Sequence, residues 1–142
     1  KNAELRYINP TEKACASKTF AGVANVGGIN SMTLTSSQNM SKKGYFSVVA
    51  HEYAHVIHRE TLFRYPNFNK EWKSIQGGYA RIYGTNNTWE DVATIVEAAV
   101  DAYLHDRNVY SIRPMDGNNV AFQAKLRLLK QYNFLPPALE VR

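Results

Sequence analysis

Cysteine is nearly absent. The chain of 142 residues carries one, Cys15, which excludes an internal disulfide and any metal site built on several thiolates. Long apolar runs are missing as well: none approaches the roughly 18 residues of a membrane-spanning helix, and no charged start followed by an apolar core marks a signal peptide. Acidic residues are outnumbered, 12 against 17 Lys and Arg, yet the excess is thinly spread. Lys42-Lys43 is the only adjacent basic pair ahead of Lys125, Arg127 and Lys130, so these cations read as ordinary surface, and no nucleic-acid partner is expected. Internal repeats and low-complexity tracts are also lacking, which excludes solenoids and fibres.

What is present is enough for one core: 44% hydrophobic residues, with nine Tyr and six Phe. A single domain over residues 1–142 is the expectation, with a monomer as the default. The start at Lys1 rather than Met reads as a processed form or a segment of a longer protein. Residues 1–43 are rich in Gly, Ser, Thr and Asn, with short apolar or alternating runs at 19–26 and 31–35 around Gly27-Gly28, which predicts two or three strands and a turn. From Gly44 the period becomes helical, with Tyr45, Val49, Tyr53, Val56 and Ile57 on one side and His51, His55 and His58 on the other. Pro66 ends that helix. A short helical stretch is expected at 70–75 and a turn at Gly77-Gly78. A further helix opens at Thr88, with Asp91 as its capping partner, and a last one spans 119–132 before Pro136-Pro137. The fold class predicted is α+β: a small N-terminal sheet, a helix with the motif described next, a second helix and a C-terminal helix.

The chemistry is concentrated in His51-Glu52-Tyr53-Ala54-His55. In an α-helix, positions i and i+4 share a face, so both imidazoles can reach one cation, the arrangement of H-E-x-x-H zinc sites. Glu52 lies about 100° around the helix. It therefore sits beside the ion, where a carboxylate can take a proton from water. A catalytic zinc usually has three protein ligands and one open position. The position ten residues after His51, which a three-histidine subclass would fill with histidine, is Thr61, and Met115 does not restore that pattern. His58 shares the stripe of His51 and His55, but three ligands in line on a straight helix cannot converge on one ion. Carboxylates on the polar stripe of the next helix remain: Glu90, Glu97 and Asp101, interspersed with Thr94 and His105.

The stretch His51 to His58 (HEYAHVIH), together with Tyr83 and Glu90 in YGTNNTWEDVA, resembles gluzincin peptidases of the anthrax lethal factor type. It is more similar still to zinc-binding metallopeptidases among cell-envelope lipoproteins of Bacteroidetes. In those families a tyrosine precedes the liganding glutamate by seven residues, and an acidic residue often follows it, as Tyr83, Glu90 and Asp91 do here. The resemblance covers roughly residues 45–105. It implies a zincin-like domain with Zn2+ held by His51, His55 and Glu90, Glu52 as general base and Tyr83 as hydroxyl donor to the oxyanion. It implies too a peptide or protein substrate and an extracytoplasmic setting, secreted or in the envelope. The chain departs from the pattern at Thr94, where these families often place a second glutamate; Glu97 or Asp101 would then orient a histidine. A competing match is Glu97-x-x-x-Asp101, similar to the segment in which thermolysin-like enzymes bind zinc through the glutamate.

The expected activity is hydrolysis of peptide bonds by metal-activated water, with the run 26–35 offering a strand edge for the substrate backbone. The alternative is a non-catalytic zinc-binding domain with a structural, adhesion or regulatory role. Glu52 argues against that, because a closed structural site has no use for a base and prefers four protein ligands.

Overall fold

The computed structural model describes the backbone of residues 4–8, 22–24, 31–35 and 42–141, and side chains over residues 45–141. Residues 42–141 hold four helices: α1 (Lys42–Arg64), α2 (Phe68–Ser74), α3 (Thr88–Leu104) and α4 (Asn119–Gln131). Single 3-10 turns at Ile82–Thr85 and Val109–Ser111 interrupt the connectors.

The expected α+β class is overturned: this body is helical, with no strand over residues 45–141. Its core is built from the helices and their connectors, centred on Phe68, Trp72, Ile95, Phe122, Leu126 and Phe134. The physical reason lies in where the apolar residues are. Over the described side chains, the large apolar residues recur at helical spacing and close a core between helices, with no sheet among them. Ahead of α1, backbone alone is described for three short strands, β1 (Glu4–Ile8), β2 (Gly22–Ala24) and β3 (Ser31–Thr35), paired in the order β1-β3-β2. In that order β3 has a neighbour on each side, so Ser31–Thr35 is not an edge; the rest of the run expected to pair with substrate, 26–30, lies outside the described residues. The turn expected at Gly27-Gly28 lies outside the described residues.

Helix starts and stops follow local chemistry. The backbone N–H of Glu90 donates to the side-chain oxygen of Asn87 at 2.9 Å and that of Ala121 to Asn118 at 3.1 Å, so an asparagine caps α3 and another caps α4. Thr88 is therefore the first residue of α3 rather than its cap, and Asp91 is not a capping partner: it is buried. Before α4 the chain passes so close that a side chain on Gly78 would lie 2.4 Å from the Phe122 backbone nitrogen, at a φ of +70° that already favours glycine.

α3 is the central element. Residues 91 to 97 are all buried, apolar and polar alike, because α1 packs along one side, α2 and the Ile82–Thr85 turn pack against others, and α4 adds core side chains and Lys125. The polar stripe of α3 accordingly faces α1 rather than solvent. α1 is rotated from the sequence expectation: Ser47, Ala54, His58 and Thr61 are buried on it, whereas Tyr53, expected in the core, is exposed. The sequence could mislead here because this helix buries polar groups and so has almost no apolar stripe to read.

Candidate metal centre

Antiparallel packing of α1 on α3 brings the two histidines of α1 against the first two turns of α3. His51 Nε2 lies 3.1 Å from Glu90 Oε2, and His55 Nε2 lies 3.5 Å from Glu90 Oε1. One ligand atom from each of His51, His55 and Glu90 falls within 4.8 Å of the others, so these three residues could hold a metal ion. Two imidazoles and one carboxylate suit zinc as a donor set and leave a position open.

The electrostatics fit a cation site. Burial alone would lower the His51 pKa, but hydrogen bonds to Glu90 and Glu97 outweigh it and hold it at about 9. For Glu90 burial works upward, and the two histidines overcome it, holding the carboxyl down at about 2. Glu90 is thus ionised at neutral pH and a cation would compete with a proton for the His51 nitrogen. Glu52 is only 8% exposed, and burial raises its carboxyl above the ordinary range, against the pull of His51 and His55. Burial of this kind moves a carboxylic acid toward the range in which it can exchange protons near neutrality.

The remaining carboxylates separate by position. Glu97 lies one heptad along α3 from Glu90, and its Oε2 meets the other nitrogen of the same ring, His51 Nδ1, at 3.1 Å. Glu97 thus meets the opposite ring nitrogen from Glu90, and among the described residues the group that could hold a metal is His51, His55 and Glu90, without Glu97. A carboxylate at this distance from Nδ1 can accept the ring N–H and fix the orientation of the imidazole. Asp101 is farther along, 3.3 Å from the Ser47 hydroxyl, 2.8 Å from Arg107 Nη2 and 3.4 Å from His105 Nδ1. Thr94 turns its hydroxyl back to the carbonyl oxygens of Glu90 and Asp91, at 2.8 and 3.1 Å, and so stays out of the centre.

Tyr83 stands on the Ile82–Thr85 turn, half-exposed, its ring centroid 6.1 Å from that of His51. The nearby Glu90 carboxylate is the main cause that raises its pKa above that of an ordinary tyrosine, so the hydroxyl keeps its proton. The turn can approach α3 because Gly84 has no side chain: a Cβ there would lie 2.7 Å from Thr94 Oγ1 and 3.3 Å from the Asp91 Cα. A groove of about 720 Å³ opens beside the centre, with His55 and Glu90 in its wall next to Leu62, Phe63 and Trp89.

His58 is neither a ligand nor a surface residue. It is fully buried, with Nε2 2.6 Å from Asn69 Oδ1, the Trp89 ring 4.0 Å away and Nδ1 without a partner. Two further residues escaped the sequence. Arg81 Nη1 donates to Glu97 Oε1 at 2.8 Å, and no spacing announces it. Lys125, expected at the surface, is 1% exposed and donates to Asp91 Oδ2 at 2.7 Å, beside the Trp72 indole N–H at 2.8 Å. A signal existed for it: Phe122, Lys125, Leu126 and Leu129 lie on one helical face, so Lys125 sits within an apolar stripe. Among the described residues no helix is long and apolar enough to cross a membrane. No protein-family model, curated protein or solved structure matches the chain.

Proposed function

We propose that the chain is a zinc-dependent peptidase in which His51, His55 and Glu90 hold the ion, Glu52 moves the proton and Tyr83 steadies developing charge. The observation that carries this reading is the convergence of His51, His55 and Glu90 alongside the buried carboxylate of Glu52. Zinc, when bound, supplies Lewis acidity that lowers the pKa of water from about 15.7 toward 7. Glu52 accepts the proton of the attacking water and delivers it to the departing amine. The Tyr83 hydroxyl donates to the carbonyl oxygen as it gains charge, a contribution of about 10² to 10³ in rate for such donors. Glu97 keeps the His51 ring turned toward its partners.

A peptide as substrate rests on the resemblance of HEYAHVIH, Tyr83 and Glu90 to gluzincin peptidases, which also suggests an extracytoplasmic setting. The groove beside His55 and Glu90 supports it, its volume of about 720 Å³ and its Leu62, Phe63 and Trp89 wall suiting an apolar side chain of a substrate. To test the reading, wild type and Glu52→Gln are loaded with zinc, assayed for metal content and incubated with a peptide library. Equal zinc in both is expected, with cleavage by wild type alone and its loss in chelator. Equal cleavage by the two proteins would sink the proposal.

A further inference from the structure

The His51 ring is held from both ends by one helix. Glu90 and Glu97 are seven residues apart, two turns along the same face of α3, and the imidazole spans them, Nε2 toward Glu90 and Nδ1 toward Glu97, each at 3.1 Å. For the ring to present Nε2 consistently, the Glu97 carboxylate has to keep one oxygen where it is. A carboxylate on its own does not do so well, because the terminal torsion of glutamate is broad and roughly two-fold. Here the second oxygen is taken: Arg81 Nη1 donates to Glu97 Oε1 at 2.8 Å, leaving Oε2 for the histidine. The Arg81 side chain is half-exposed and the Glu97 side chain only 12% exposed, so the pair lies at the boundary of the site. A pair so open to solvent contributes little to folding. What it does fix is an orientation.

Arg81 also has a second attachment. Its carbonyl oxygen accepts the N–H of Gly84 at 3.0 Å and so closes the turn that carries Tyr83. The backbone of the tyrosine turn and the side-chain support of His51 therefore start from one residue.

We infer that Arg81 is a positioning residue for His51, acting through Glu97, and that it ties the Tyr83 turn to the metal-binding face of α1. The inference rests on the assignment of His51 as a ligand, and it concerns how tightly and how uniformly the ligand is presented. Loss of a partner that orients a liganding histidine typically weakens metal binding about 10- to 100-fold; Arg81 acts one bond further out, so the lower end of that range is expected.

The experiment measures zinc affinity by competition with a chromophoric chelator, together with the melting temperature of the metal-free protein. Wild type, Arg81→Met, Arg81→Lys, Glu97→Gln and the double variant Arg81→Met/Glu97→Gln are compared. Arg81→Met should bind zinc about tenfold more weakly at an almost unchanged melting temperature, and Arg81→Lys should recover part of the loss, because a charge on a flexible stem still reaches Glu97. In the Glu97→Gln background the Arg81→Met change should have almost no effect. Wild-type affinity in Arg81→Met, or the same loss in the Glu97→Gln background, overturns the inference while leaving the ligand assignment standing. A wild type that binds no zinc overturns both.

Discussion

Replacing Lys125 by Met tests the buried ion pair that joins three helices behind the centre. The ammonium donates to Asp91 Oδ2 at 2.7 Å, 4.5 Å from the Tyr79 ring centroid and 5.3 Å from that of Trp72. Methionine keeps the length of the stem and its packing, so the main change is the loss of the cation. Asp91 would then be a carboxylate at 5% exposure with the Trp72 indole as its remaining donor and Oδ1 unpartnered. Breaking a buried pair from one side costs about 3–5 kcal/mol. Part of that cost can be escaped by protonation. Burial already raises the Asp91 carboxyl, with Lys125 among the groups opposing the rise, so removing the ammonium raises it further. A carboxyl whose folded pKa lies above its unfolded value favours the folded state at low pH, and that advantage is lost as pH rises through the folded pKa. The deficit of Lys125→Met should thus grow as pH rises above the ordinary carboxylate range, by at most about 1.4 kcal/mol per pH unit. Urea unfolding followed by far-UV circular dichroism measures it, provided the m-value is unchanged. Asp91→Asn in the same background removes the stranded charge and should restore most of the stability. A deficit under about 1 kcal/mol at pH 7.5, or no recovery in the double variant, would refute the reasoning.

Two further outcomes follow from buried contacts. Burial lowers the His58 pKa to about 4 from an ordinary 6.5, against the hydrogen bond to Asn69, so the unfolded chain binds a proton at this position before the folded one does. Stability should fall between pH 6.5 and 4 by about 3 kcal/mol from this group, and His58→Leu should flatten that part of the acid limb; an identical slope in the two proteins would exclude the account. Gly84→Ala places a methyl 2.7 Å from Thr94 Oγ1 and 3.3 Å from the Asp91 backbone, which cannot move without bending α3. A cost of about 1–3 kcal/mol by thermal melting is expected, reduced in a Thr94→Ala background, and equal costs in both backgrounds would show that the turn has room to shift.

The motif His51-Glu52-x-x-His55 was legible because helix geometry alone puts its two imidazoles on one face, whatever the rest of the chain does. Helix limits were legible for the same local reason: Pro66 stops α1, and the asparagine-rich turn at 86–87 starts α3, although the cap proved to be Asn87 and not Thr88. The class of fold was not. Short alternating runs suggested a sheet as a main layer, but over residues 45–141 the buried apolar side chains all lie on helices and their connectors.

Among three carboxylates on one stripe, helical spacing left the choice open, and Glu90 was implied only by the resemblance that the Tyr83-to-Glu90 spacing carries. Glu90, Glu97 and Asp101 differ only by where the crossing of α1 over α3 places them: one at the histidine pair, one behind His51, one beyond it. Arg81 and Lys125 belong to the same category, since their partners are 16 and 34 residues away and no local pattern encodes a long-range ion pair. The sequence by itself determined the two histidines, their neighbouring glutamate and the helices that carry them, because periodicity and capping act within a few residues. The convergence of Glu90 on the two histidines, the contact of Glu97 with His51 and the burial of Lys125 were decided by tertiary structure, because each depends on how two helices are rotated and offset as they pack.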